Sequence, residues 1–247
     1  MTVIDVTSTH AILAGVRWRT VDLETGEARE RSRGDAAARM VWQATDVRWT
    51  ERGDEILAYD RRDLSTLARF ADPEELGTDE PGTFLQVFGR GARCFVDLAS
   101  DESAERLGPG LVMELRGREI VVVSRPSRHV VGFVQGWLDD DRMLVCDESS
   151  LLVVDAASGG AAKRIALPAH AMAAHALSPT AVLVQGPQHE LWHVELATTA
   201  VSDVALQGGR PEPAIRILHP LDARRFVALW SGEGRMETLR VDELLVR

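Results

Sequence analysis

Residues Trp137–Leu167 read WLDDDRMLVCDESSLLVVDAASGGAAKRIAL, and the form of this stretch decides the fold. An acidic turn, Asp139–Asp141, leads into the apolar run Met143–Cys146. A polar turn separates that run from Leu151–Val154. Asp155 then opens a turn of small residues, and Ala161–Leu167 supplies a third run. Short aliphatic and β-branched runs parted by Asp, Ser and Gly predict antiparallel strands joined by tight turns.

Weaker copies of this plan recur along the chain. Aligned by eye, they form a ladder of polar residues, each following an apolar run: Asp22, Asp60, Asp97, Ser124, Asp155, Glu195 and Asp242. Three rungs continue into a hydroxyl-bearing turn, as Asp22…Thr25-Gly26, Asp155…Ser158-Gly159 and Glu195…Thr198-Thr199. A carboxylate and a hydroxyl flanking a hairpin can accept the turn's free N–H groups, which gives the spacing a physical reason. Repeats of about forty residues carrying about four strands predict an all-β architecture, a β-propeller of six or seven blades.

The turns Leu138–Arg142 and Ser178–Thr180, followed by RMLVC and AVLVQ and then by LLVVDAASG and LWHVEL, resemble blades of WD40-like and quinoprotein-like propellers. The resemblance covers most of the chain and implies a fold, with no functional residues carried over. No Trp-Asp or Gly-His dipeptide occurs. The quinoprotein-type turn is approached only by Asp22, Thr25 and Gly26, with Glu30 in place of its tryptophan, so a bound quinone is not implied. Many propellers close their ring with an N-terminal strand, which removes an open edge. Val3, Ile4 and Val6 are therefore expected beside the strand holding Leu239 and Val241, making residues 1–247 a single domain.

Composition narrows the partners. With 45% hydrophobic and 27% charged residues, the chain has the make-up of an ordinary globular protein. Its net charge of −10 disfavours nonspecific nucleic-acid or anionic-membrane binding, which needs a positive surface. The best local exception, Arg17, Arg19, Arg29, Arg31 and Arg33, is interleaved with glutamates and reads as a solvated strand face. The N-terminus lacks the basic start of a signal peptide, and Cys94 and Cys146, the two cysteines, sit in apolar runs like buried free thiols. A disulfide between them is open, but a reducing cytoplasm is the expectation. Lys163 is the only lysine and asparagine is absent, a bias pointing to a GC-rich bacterial genome.

One literal catalytic motif occurs: His189-Glu190-Leu191-Trp192-His193 is HExxH. On a helix the two histidines would stand one turn apart and hold zinc, with the glutamate activating its water, as in the zincin metallopeptidases. Gly186 and Pro187 precede the motif where such a helix should already run, and Trp192, Val194 and Leu196 alternate with polar residues. The segment reads as a strand, so no metal or cofactor is expected, and a zinc hydrolase built on His189, Glu190 and His193 is the alternative. Asp139–Asp141 lacks the spaced oxygen ligands and glycine of a calcium loop and reads as a turn. Asp72–Glu80, DPEELGTDE, reads as an exposed acidic loop, either solvated or a dock for a basic partner. His170 and His175 read as surface or packing residues. The six tryptophans are expected to pack between blades, unless some ring a central mouth.

These features together predict a noncatalytic, cytoplasmic propeller that scaffolds or recognises another protein. A propeller enzyme with carboxylates at its mouth is a third possibility.

Overall fold

The computed structural model describes residues 2–6, 10–14, 18–22, 24–31, 39–40, 47–60, 65–78, 83–100, 110–127, 132–188, 190–206, 215–220, 224–231 and 237–246. The fold is all-β, as expected. The first sheet holds β1 (Thr2–Val6), β2 (His10–Ala14), β3 (Trp18–Asp22) and β4 (Ala28–Arg31). The second holds β5 (Arg39–Met40), β6 (Val47–Arg52), β7 (Glu55–Asp60) and β8 (Thr66–Phe70). A one-turn helix, α1 (Pro73–Leu76), precedes the third sheet of β9 (Thr83–Arg90), β10 (Arg93–Ser100), β11 (Leu111–Arg116) and β12 (Glu119–Ser124).

The opening stretch supplies most of the fourth sheet: β13 (Phe133–Trp137), β14 (Arg142–Asp147), β15 (Ser150–Asp155) and β16 (Ala161–Ala166). Next come β17 (Ala173–Ser178), β18 (Ala181–Gln185), β19 (Leu191–Glu195) and β20 (Ala200–Leu206), then β21 (Ile215–Pro220), β22 (Arg225–Ser231) and β23 (Glu237–Val246). These last seven join into one sheet, ordered β17-β18-β19-β20-β23-β22-β21. The join is short: Val204–Leu206 of β20 pairs with Leu244–Val246 of β23.

Why the strands read as unbroken apolar runs follows from how the sheets stack. Along β15, Leu151 and Val153 pack with Val182, Val184 and Trp192 of the following sheet. Leu152 and Val154 pack with Phe95 and Val112 of the preceding one. The neighbouring strands behave alike: Cys94 and Val96 of β10 face the second sheet, while Phe95 faces the fourth. A sheet buried on both faces needs apolar residues at every position, so the alternation of a half-solvated sheet is lost. Three indoles seal these interfaces. Trp49, Trp137 and Trp192 are buried, and two of them bond across to the third sheet, Trp49 Nε1 to the Gly91 oxygen at 2.8 Å and Trp137 Nε1 to the Phe88 oxygen at 2.6 Å.

The turn chemistry read from the ladder is present. Asp22, Asp60, Asp155 and Glu195 each end the third strand of a sheet. The Asp22 carboxylate accepts from the N–H groups of Glu24 and Thr25 at 2.9 and 2.7 Å, and that of Asp155 accepts from Ser158 at 2.8 Å. Glu195 accepts from Ala197 at 3.3 Å. The hydroxyls of Thr25, Ser158 and Thr198 complete the turns by accepting from Glu27, Gly160 and Ala200. Gly26 and Gly159 take positive φ after the hydroxyl residue, and Thr199 takes the same conformation at φ 60°.

Several expectations need correction. Asp97 and Ser124 mark no separate repeats, because β10 and β12 belong to one sheet. Its strands β9 and β10 are eight residues long, and this stretched one repeat into two apparent rungs. The N-terminal strand is not found beside Leu239 and Val241: β1 pairs with β2, while those two residues pair with Leu229 and Val227. No closed sheet is formed among the described residues. The start of Asp72–Glu80 is helical, with Asp72 accepting from Glu75 N–H at 3.0 Å, Pro73 opening the turn and Gly77 capping it at φ 69°. Asp79 and Glu80 lie outside the described residues.

Candidate functional site

The last three residues of the histidine motif, Leu191–His193, lie on a strand. Leu191–Glu195 is β19, in which His193 pairs with Leu183 on one side and Ser202 on the other. The helical turn that would bring two histidines onto one zinc ion is therefore missing. Glu190 sits in the turn before the strand, where its carboxylate accepts from Gln188 N–H at 2.8 Å and its backbone oxygen from Gly186 at 2.9 Å. His189 lies outside the described residues. His175 pairs with Leu183 from the other side, so His175 and His193 flank one leucine across three strands. Two strand spacings, about 10 Å, separate their backbones with Leu183 between them, and among the described residues no three His, Cys, Asp or Glu side chains are grouped to hold an ion. Burial pushes the His175 imidazole down to about 4, which keeps it neutral.

The acidic turn is a clamp of arginines. Arg142 Nε bonds Asp139 at 2.7 Å, Arg90 Nε bonds Asp140 at 3.0 Å and Arg93 reaches Asp141 at 3.4 Å. Partial burial works to raise the Asp139 pKa, but the Arg142 bond and charge and the backbone N–H groups outweigh it and hold it below the usual range. Arg142 also donates to the Pro179 oxygen at 3.3 Å, linking the first turns of two neighbouring sheets. The cysteines lie in different cores, Cys94 between the second and third sheets and Cys146 against β18 and β19. Both are free thiols, and burial pushes Cys94 well above its ordinary value and Cys146 up to about 12. Trp18 and Trp230 lie on strands whose side chains are not described, and Trp42, Arg17 and Arg33 lie outside the described residues.

One pair of side chains is left without structural work. Among the described residues, the large apolar side chains that stand exposed are Phe133, at 61%, and Met172, at 60%. They occupy matching places: Phe133 starts β13 and Met172 immediately precedes β17, the first strands of adjacent units. Gln135 links the two strands. A bulge between Val134 and Gly136 leaves Gln135 without a partner in β14, and its amide reaches across to accept from Ala174 N–H at 3.2 Å while donating to the Phe133 oxygen at 3.3 Å. Gly132 sets the approach: at φ +87° its position leaves no room for a Cβ, which would fall 2.4 Å from the Cys146 oxygen. Met172 is fixed by its N–H to the Gln185 oxygen at 2.8 Å.

Sequence reasoning missed this pair. Met172 lies in the Ala-rich run His170–Leu177, which is poor strand material by composition. Its alanines prove to be what lets the crossover lie close: Ala171 and Ala174 are buried in the core shared with β15, and Ala169 packs against it. The available signal was the Gly132-Phe-Val-Gln-Gly136 spacing, two glycines bracketing an aromatic residue at a strand start.

No protein-family model matches the sequence, and no curated protein does. Solved structures do. A calcium-binding protein, regucalcin, from Agrobacterium tumefaciens matches with a TM-score of 0.52 at 11% identity, covering 97% of this chain and 88% of that one. A Bacteroides caccae protein of unknown function gives 0.52 at 12%, covering 91% and 84%. The computationally designed Ika8 protein gives 0.52 at 8%, covering 93% and 80%. At these identities the likeness concerns the fold alone, and that fold is β-propeller-like.

Proposed function

We infer that this chain is a noncatalytic recognition module, a single-domain propeller that binds another protein through the end of its inner strands marked by Phe133 and Met172. The observation behind this reading is the exposed pair itself. Leaving two large apolar side chains in water forgoes roughly 1.5–3 kcal/mol for each, and buried aromatic and methionine anchors are the usual currency of protein interfaces. The other singled-out groups have structural employment: Asp139–Asp141 clamps arginines, the described tryptophans fill interfaces, and His193 stands in a strand.

In this reading the blades number six, five of four strands and one formed by β21–β23. The net charge of −10 argues against nucleic acid and anionic membranes as partners, and two free thiols suit a reducing cytoplasm. The test is affinity capture from the native host with wild type and with the double variant Phe133→Ser/Met172→Ser, followed by mass spectrometry. A stoichiometric partner held by wild type and lost by the folded double variant supports the reading. A partner held equally by both removes this site from it.

A further inference from the structure

We draw no further inference here: the strongest candidate, the exposed apolar pair of Phe133 and Met172 at the starts of β13 and β17, belongs to the site already described, and nothing in the structure shows what covers it.

Discussion

The indole N–H of Trp137 donates to the backbone oxygen of Phe88, 2.6 Å away in the neighbouring sheet. From the opposite side, Trp49 donates to Gly91, three residues further along. The β9 strand and its turn are thus held from both flanks by tryptophans belonging to other sheets. Trp137→Phe keeps most of the packing but strips the Phe88 oxygen of its donor, at an expected cost of about 1–3 kcal/mol. Trp137→Ala adds a cavity and should cost about 3–5 kcal/mol. Urea unfolding of the three proteins checks both figures, and a Trp137→Phe protein as stable as wild type would show that the hydrogen bond contributes nothing.

Thr199 occupies the position that Gly26 and Gly159 hold in the equivalent turns, at φ 60°. A β-branched residue is strained there, so Thr199→Gly should stabilise the protein by about 1 kcal/mol despite the added freedom of the unfolded chain. A lower thermal midpoint in the variant would contradict this.

His175 is held neutral by burial, with its pKa down at about 4 against an ordinary 6.5. Between these values the unfolded chain binds the proton more tightly than the folded one, so stability falls as pH drops from 6.5 towards 4 and then levels for this group. The full loss is about 3 kcal/mol. His175→Gln should flatten this part of the profile, measured by urea midpoints at successive pH values.

Asp155 titrates lower still. The Ser158 hydroxyl and backbone N–H favour its carboxylate and depress its pKa below 3.8. Its contribution is therefore present above the ordinary aspartate range and lost as pH falls through the depressed value. Asp155→Ala should cost about 1 kcal/mol near neutrality, with the difference from wild type shrinking in acid.

How much of this could be read from residues alone varies with the length scale involved. The turns were legible because Asp22, Asp155 and Glu195 act on N–H groups two or three residues away. The strand assignment of Leu191–Glu195 was legible because Trp192, Val194 and Leu196 alternate with His193 and Glu195, and because Gly186 and Pro187 stand where the motif's helix should already run. Long-range choices were not. Nothing local distinguishes Asp97, in a second strand, from Asp155, ending a third, and nothing in VAL at 204–206 announces its pairing with β23. The helix at Pro73–Leu76 is a single turn whose acidic run hides the caps, Asp72 and Gly77, that mark it. Exposure is the least legible property: Phe133 and Phe95 look alike in sequence, yet one stands 61% exposed and the other is fully buried.

Consecutive positions in β15 test the two-faced packing directly. Leu152→Ala and Val153→Ala open cavities on opposite sides of one sheet. Each should destabilise substantially, Leu152→Ala by about 2–5 kcal/mol. A mild effect at one of the two would mean that one face is wet.

The pairing of Val204–Leu206 with Leu244–Val246 has a consequence for synthesis. The end of β20 leaves the ribosome about forty residues ahead of the segment that covers it, so a growing chain carries an unsatisfied edge of Val, Ala and Leu for seconds. Such an edge invites pairing with other nascent chains. The rate of translation through β21 and β22 therefore sets how long that hazard lasts, and slow codons there should lower the yield of folded protein without changing a single residue.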